Sequence, residues 1–495
     1  MATSDAVTVP RGDIAAALRA VLPEDCLLSR PEERRPYECD ALTAFRELPA
    51  VVALPRTEEE VLRILLTCNR LGVPLVARGS GTGLSGGATP HAGGVLLSCA
   101  RMNRVLAIDP DNRIARLEPG VPNLRISELA AAHGLFYAPD PSSQVACSIG
   151  GNVAENSGGV HCLKYGLTVH NVLGVRGFTI QGERIELGAL GGALDSPGSL
   201  DLLALVTGSE GLLMVVTEVA VKLMPRPPRA QLVVGCFASV HDAADAVAAI
   251  IAGGIIPAAL EMMDRKATVA VEPFVHAGYD LEAEATLLVE SDGTREEVDD
   301  QVREIEGVLR KCGASGIRIA GSDAERQRLW SGRKNAFPAA GRMAPDYYCM
   351  DGTIPRKHVG RVLDAIGGME ARYGLPCLNV FHAGDGNLHP VIMFDSNRAG
   401  DWEKADRFGA EILELCIEVG GTITGEHGVG LEKLGGMCVQ FSPAERAAFA
   451  AVKETFDPDG LLNPGKLIPT LARCAEYGRM HVRGGALPHP ELPRF

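Results

Sequence analysis

The sequence predicts an α+β chain of more than one domain, and three observations carry that reading. A strand, a helix and a glycine-rich loop are followed by a run of further strands, not by a regular strand–helix alternation. The stretch Met224-Pro-Arg-Pro-Pro228 then interrupts the pattern. Beyond Gln231, helical and strand periodicities interleave as expected for helices packed on an antiparallel sheet. With 495 residues, the chain exceeds a single core and suggests roughly two to four domains of about 150 residues each.

Composition narrows the class. A net charge of −14 argues against nucleic acid or an acidic lipid surface as the main partner. The uncharged apolar stretch Ala246 to Leu260 contains Gly253, Gly254 and Pro257 and falls short of the roughly 20 residues of a membrane span. The opening residues show neither a basic region nor an apolar core, so a soluble intracellular protein is expected. Thirteen cysteines are dispersed without a C-x-x-C pair, as in a reduced chain that lacks the usual iron–sulfur ligand runs.

Taken in order, residues 11–22 read as a short helix and Arg46 to Pro55 as a strand closed by proline. Thr57 and Glu60 form a capping box, Val61, Ile64, Leu65 and Cys68 follow at helical spacing, and Gly72 ends the helix. A buried strand, Val73–Ala77, then leads into Arg78-Gly-Ser-Gly-Thr-Gly-Leu-Ser-Gly-Gly87. Glycines at 79, 81, 83, 86 and 87 let consecutive backbone N–H groups converge on one anion, and Arg78 adds a fixed charge. The loop is therefore a candidate diphosphate seat, although glycine clusters also build plain turns. It is not a Rossmann fingerprint, because further glycines and Pro90 prevent a following helix and no acid stands at the required distance.

Short strands are expected at 94–98, 104–108 and 113–117, and a helix over 123–133. A second small-residue cluster, from Pro139 through Ser148-Ile-Gly-Gly-Asn152 and Asn156-Ser-Gly-Gly159, reads as another loop suited to a large polar ligand. Strands at 171–180, 184–187 and 212–223 complete the first part. The second part is expected to hold strands at 231–237, 258–263, 284–290, 316–320, 346–351, 377–382 and 388–394. Its helices fall at 240–252, 294–311, 356–372 and 401–419, with one more ending at Trp330-Ser-Gly-Arg-Lys-Asn335.

The chemistry concentrates late in the chain. If Asp385-Gly386 is a two-residue hairpin loop, His382 opposes His389 on one face, close enough for two imidazoles to share a metal. Gly425-Glu-His-Gly428 offers a carboxylate as third ligand and an imidazole base. Two His and one carboxylate suit an open catalytic metal site. A His base beside a metal suits removal of an alcohol proton near neutral pH.

These stretches, with Gly208-Ser-Glu-Gly211 and Leu462-Asn-Pro-Gly-Lys466, occur in one order in a known family. The chain resembles the flavoproteins of vanillyl-alcohol-oxidase fold that oxidise 2-hydroxy acids. Trp330 to Phe337 and Tyr347 to Pro355 are most similar to the flavin subunit of bacterial glycolate oxidases, with D-lactate dehydrogenases as relatives. The resemblance implies a PCMH-type FAD-binding domain over 1–226 and a ferredoxin-like α+β cap over 227–423. A C-terminal segment, 424–495, would carry the Glu-His motif and return to the FAD domain.

The resemblance further implies FAD held by Arg78, Gly79, Ser80, Gly81, Thr82 and Gly83. Pro139, Ser142, Gly150, Gly151, Asn152, Asn156, Gly159, Val216 and Asn463 would surround the rest. Thr82 stands about where some relatives carry a flavin-linking histidine, so noncovalent FAD is expected. His382, His389 and Glu426 would ligate a divalent metal (Zn, Mn or Fe), His427 would be the base and Arg333 would bind the substrate carboxylate. Phe337, Cys349 and Val391 replace polar residues of the 2-hydroxyglutarate enzymes, which favours glycolate or D-lactate.

Hydride would pass to the flavin. Electrons would then leave through an iron–sulfur subunit, with a possible second flavin-binding subunit, in a cytoplasmic protein held at the inner membrane only through partners. The alternatives are a stand-alone D-lactate dehydrogenase and a non-catalytic flavin-bearing electron-transfer subunit.

Overall fold

Three larger sheets organise the described residues, beside a two-stranded pair of Leu135–Phe136 with Met224–Pro225. The computed structural model describes residues 11–190 and 200–469; residues 1–10, 191–199 and 470–495, the last including most of the expected C-terminal segment beyond Ile468, lie outside the described residues. In the first sheet the strands run in the order Leu27–Leu28, Val51–Ala53, Val95–Ser98, Leu75–Arg78, the last three mutually parallel. Their side chains are buried on both faces, as a parallel sheet requires. The helix Glu58–Leu71 covers one face with Val61, Ile64, Leu65 and Cys68, all fully buried. Its expected capping box is half made. Thr57 Oγ1 accepts from Glu60 N at 3.3 Å, but the Glu60 carboxylate accepts from Arg56 N, one residue earlier.

The second sheet is antiparallel, in the order Val105–Asp109, Ile114–Leu117, Val215–Lys222, Val172–Phe178, Arg184–Gly188. Against it packs a helix, Ile149–Glu155, where the sequence reading expects a loop. Two glycines in seven residues lower helix propensity by about 1 kcal/mol each. Tertiary contact overrides this, because a Cβ on Gly150 would lie 2.6 Å from Pro119 Cβ. Glycine here serves close packing against a neighbouring turn.

The third sheet has seven strands, all antiparallel. Their order is Gly316–Ile319, Arg229–Phe237, Ala285–Gly293, Ala259–Asp264, Cys377–Phe381, Pro390–Phe394, Asp346–Cys349. Helices Val240–Ala252, Arg295–Lys311, Val359–Tyr373 and Asp401–Glu418 pack on one face. Helices Asp323–Lys334 and Ala336–Ala340 cover the other, together with Arg265–Val275, a helix absent from the sequence reading. Asp264 caps that helix by accepting from Ala267 N at 2.8 Å, and Pro273 sits in its last turn.

The hairpin carrying the two histidines has a different register from the expected one. His382 bridges Asn387, and Asn379 pairs with Pro390, so the loop spans four residues, 383–386. His382 and His389 are thus diagonal neighbours, not directly opposed. They still share a face, because a shift of two residues preserves the alternation of side chains.

The chain's end returns to its beginning. Leu75 N donates to Leu461 O at 2.8 Å and Asn463 N donates to Leu75 O at 2.7 Å, so residues 461–463 extend the first sheet beside the strand that feeds the glycine loop. A polar seam joins the second sheet's domain to the third sheet. Tyr165 Oη donates to Asp292 Oδ2 at 2.6 Å, and Lys164 pairs with the same carboxylate. His161 lies between Asp140 (2.7 Å) and Glu290 (3.4 Å), and Glu290 also accepts from Arg326 and Trp330.

Burial alone would depress His161, but Asp140 and Glu290 outweigh it and raise it to about 10. A histidine raised above its unfolded value contributes stability in full below about pH 6.5 and loses it as pH rises through about 10. We therefore expect the gap in thermal midpoint between wild type and His161→Gln to be widest near pH 6.5 and to close by about pH 10.5. A gap that stays constant or widens with pH, followed by calorimetry, would contradict this ion-paired seam.

Candidate active site

A cavity of about 360 Å³, within the roughly 300–1,000 Å³ range of small-molecule sites, lies where the three sheets meet. From the sequence-derived residues it brings together Arg78, Gly79, Ser80, Gly81, Thr82, Gly83, Ser142, Gly150, Gly151, Asn152 and Val216 with His389, Glu426 and His427. The glycine loop and the Glu-His motif, some 340 residues apart in the chain, thus share one space.

Pro139, Asn156, Gly159 and Asn463 stand behind that wall. Pro139 O accepts from Asn123, whose amide also donates to Asn152 Oδ1 at 3.0 Å. Asn156 ends the helix Ile149–Glu155 in the left-handed region and accepts from Val169 N. Gly159 packs on the Asp140 backbone. Asn463 Nδ2 donates to Glu210 O at 2.6 Å.

At the other end of the cavity, His382, His389 and Glu426 converge. Glu426 Oε1 lies 3.3 Å from the Nε2 atoms of both histidines, whose ring centroids are 5.1 Å apart. Burial would raise the Glu426 carboxyl, but the two histidines hold it well below the usual range. His382 Nδ1 lies 2.7 Å from Glu261 Oε1, a placement that would keep a proton at Nδ1 and leave Nε2 to a metal. Both ring nitrogens of buried His389 lack a hydrogen-bond partner. Such an orphaned imidazole, beside a carboxylate and a second imidazole, fits a divalent metal.

Asp351, His389 and His427 also approach closely enough to form a ligand set. Asp351 is already engaged. Fully buried, it accepts from Gly425 N, Glu426 N and His427 N at 2.9–3.3 Å, from Thr424 Oγ1 at 2.6 Å and from Lys433 Nζ at 3.2 Å. The His382–His389–Glu426 set keeps that role intact and leaves His427 free.

His427 stacks on His389, with centroids 5.0 Å apart and planes within 2°. Its Nδ1 is sealed 4.0 Å from Asp351, which leaves Nε2 as the available nitrogen. Burial, with His389 and Lys433 pushing the same way, lowers His427 to about 4. A neutral imidazole that can take up a proton is the result.

Arg333 is 1% exposed and does not line the cavity. Its Nε donates to Glu261 Oε2 at 2.7 Å, and its Nη2 is buried without a partner. It thus stands behind His382, with one donor to spare. Lys334 and Phe337 occupy the cavity wall instead.

Sequence reasoning missed Glu261, Asp351 and Glu210. Glu261 is the one acid within the buried run Ala258 to Met263, a signal that it has a specific partner. Asp351 sits inside the matched stretch Tyr347–Pro355 without an assigned role. Glu210, of the Gly208–Gly211 motif, accepts from Val429 N and Gly430 N at 2.6 and 2.7 Å. A Cβ on Gly428 would collide with Glu155 and lie 2.9 Å from Glu210 Oε1, so only glycine lets the Glu-His loop approach these acids.

Comparison with known proteins agrees with this architecture. A family model described as the C-terminal domain of FAD-linked oxidases matches residues 226–467, and one described as an FAD-binding domain matches residues 49–188. The glycolate oxidase subunit GlcD of Escherichia coli K12 is 57% identical over 98% of this chain and 97% of that protein. The chain belongs to the FAD-linked oxidase family.

Among other members of the family, the GlcD protein of Bacillus subtilis is 39% identical over 88% of this chain and 93% of its own length. The mitochondrial D-lactate dehydrogenase (cytochrome) of Arabidopsis thaliana is 31% identical over 93% and 81%. The solved structure of p-cresol methylhydroxylase shares the fold at 18% identity, with a TM-score of 0.77 over 92% of this chain and 96% of that one.

FAD fits the cavity on structural grounds as well. The Ser148 hydroxyl is buried without a partner, and a Cβ on Gly79 would collide with it. A bare loop beside an orphan hydroxyl suits a phosphate group. Among the described residues no helix is long and apolar enough to cross a membrane.

Because Asp351 holds three consecutive N–H groups and a buried lysine, Asp351→Asn should destabilise the protein by about 3 kcal/mol or more, as read by denaturant titration. A loss below about 1 kcal/mol would mean that backbone packing alone shapes the Glu-His turn.

Proposed function

We propose that the chain oxidises a short 2-hydroxy acid, glycolate or D-lactate, to its 2-oxo acid as the flavin subunit of a larger dehydrogenase. One observation carries this reading: His427 opens onto the same cavity as the glycine loop, together with His389 and Glu426 of the His382–His389–Glu426 cluster. When bound, FAD supplies the two-electron acceptor and a divalent metal supplies Lewis acidity toward the substrate hydroxyl.

The chain's own residues do the rest. His382, His389 and Glu426 would hold the metal, with Glu261 fixing the His382 tautomer. His427, neutral because it is buried, takes the hydroxyl proton at Nε2. The spare Nη2 of Arg333, braced by Glu261, supports its role as a carboxylate partner. Cys349 and Val391 are cross-strand partners, both buried, and Phe337 packs against the same cluster. These three side chains offer no counter-charge of their own to a second carboxylate, whose unpaired burial would cost several kcal/mol.

Two sequence-level features favour a separate electron acceptor. The chain has no iron–sulfur ligand run, and its GlcD relatives are named as subunits. An iron–sulfur protein is the proposed partner.

Anaerobic titration of the purified holoprotein with glycolate, D-lactate, L-lactate and D-2-hydroxyglutarate should bleach the flavin with one or both of glycolate and D-lactate. No bleaching by any of the four would overturn the enzymatic reading.

His427→Ala should keep flavin and metal yet slow flavin reduction at least about 100-fold. His382→Ala should lose metal as well, by elemental analysis. Normal turnover by either variant would reverse these assignments.

A further inference from the structure

The helix Asp323–Lys334 ends in two adjacent cations that face different surroundings. Arg333 is sealed in the interior against Glu261. Lys334, one residue on and turned by about 100° around the helix, is exposed and lies on the cavity wall with Phe337, His389, Glu426 and His427. Its ammonium forms no hydrogen bond or ion pair with any described residue. Lysines elsewhere on the cap that approach carboxylates, such as Lys266 with Glu370 and Lys404 with Asp401, are paired.

Around this free ammonium the chain carries a net charge of −14. An anion of the substrate's size is repelled by that average field unless a local cation marks the entrance. A single unpaired charge at the mouth of a low-dielectric cleft focuses the potential there and raises the capture rate of an opposite charge. A long flexible stem lets the ammonium follow a small carboxylate inward, which a buried, braced guanidinium cannot do.

We infer that Lys334 is the residue that captures the carboxylate of the incoming acid at the cavity mouth, before the acid reaches the metal-ligand cluster. This inference rests on the proposed oxidation of a short 2-hydroxy acid. It assigns Lys334 to the association step and leaves proton removal to His427. The other anion that could meet Lys334 is the phosphate of the bound dinucleotide.

Stopped-flow reduction of the holoenzyme by glycolate and D-lactate, over a series of salt concentrations, separates these roles in Lys334→Gln, Lys334→Glu and Lys334→Arg. In the glutamine variant the second-order rate constant should fall about ten-fold and lose most of its salt dependence. The limiting reduction rate should stay within about two-fold. The glutamate variant should be worse, and the arginine variant should recover most of the loss. FAD affinity, read by fluorescence on dilution, should not change.

A parallel titration with pyruvate, followed by perturbation of the flavin spectrum, reads anion capture without turnover. It should weaken about ten-fold in the glutamine variant, even if none of the hydroxy acids proves to be a substrate. Unchanged capture rate and unchanged pyruvate affinity in the glutamine variant would overturn the proposal. So would a loss confined to FAD affinity, which would give Lys334 to the dinucleotide phosphate.

Discussion

The buried carboxylate of Asp351 is the constraint on which the site depends. It lies just past the edge strand Asp346–Cys349 of the third sheet, yet it collects the N–H groups of residues 425–427 from the far end of the chain. Without it, the N–H groups of Glu426 and His427 would lose their acceptor, at a cost of about 1–3 kcal/mol each, and the buried Lys433 ammonium would keep only Glu432 and Gly428 O as partners. The turn it imposes points Glu426 at the two histidines and lays His427 flat on His389. Position and protonation state therefore have one origin, because the same burial that makes Asp351 necessary keeps His427 neutral.

The second and third sheets meet across this turn from opposite sides. Asp351 holds residues 424–427, and Glu210, from the dinucleotide side, holds residues 429 and 430. Five residues later than Gly428, Lys433 closes the ring by donating to both Asp351 and Gly428 O. The turn carrying His427 is thus tied to the glycine-loop side and to the third sheet at once. Asn463 and Lys466 add a further tie, since both donate to Gly87 O at the end of the glycine loop. A shift of either side would move the loop and His427 together.

Much of the local structure was legible. The helix at 58–71 announced itself by Thr57, the buried 61/64/65/68 stripe and Gly72. The strands of the third sheet followed from apolar runs bounded by turns. What misled was glycine at 150 and 151, which reads as loop by propensity but lies in a helix that presses against Pro119. The hairpin was expected with a two-residue loop, and the observed four-residue loop arises because Gly386 N bonds back to His382 O. The histidine pair survived that error because parity of side-chain direction tolerates a shift of two.

Residue types in motifs were enough to raise the candidates: a glycine loop for phosphate, two histidines and a glutamate for a metal, a histidine for a proton. Those patterns are local, and local backbone geometry dictates them. The sequence could not say which charges neutralise one another, since Asp351, Glu261 and Glu210 find partners 70 to 220 positions away. Nor could it divide the pair Arg333–Lys334. Neighbours in sequence differ by about 100° around a helix, and only the packing of that helix on the third sheet decides that Arg333 is buried against Glu261 while Lys334 meets the open cavity.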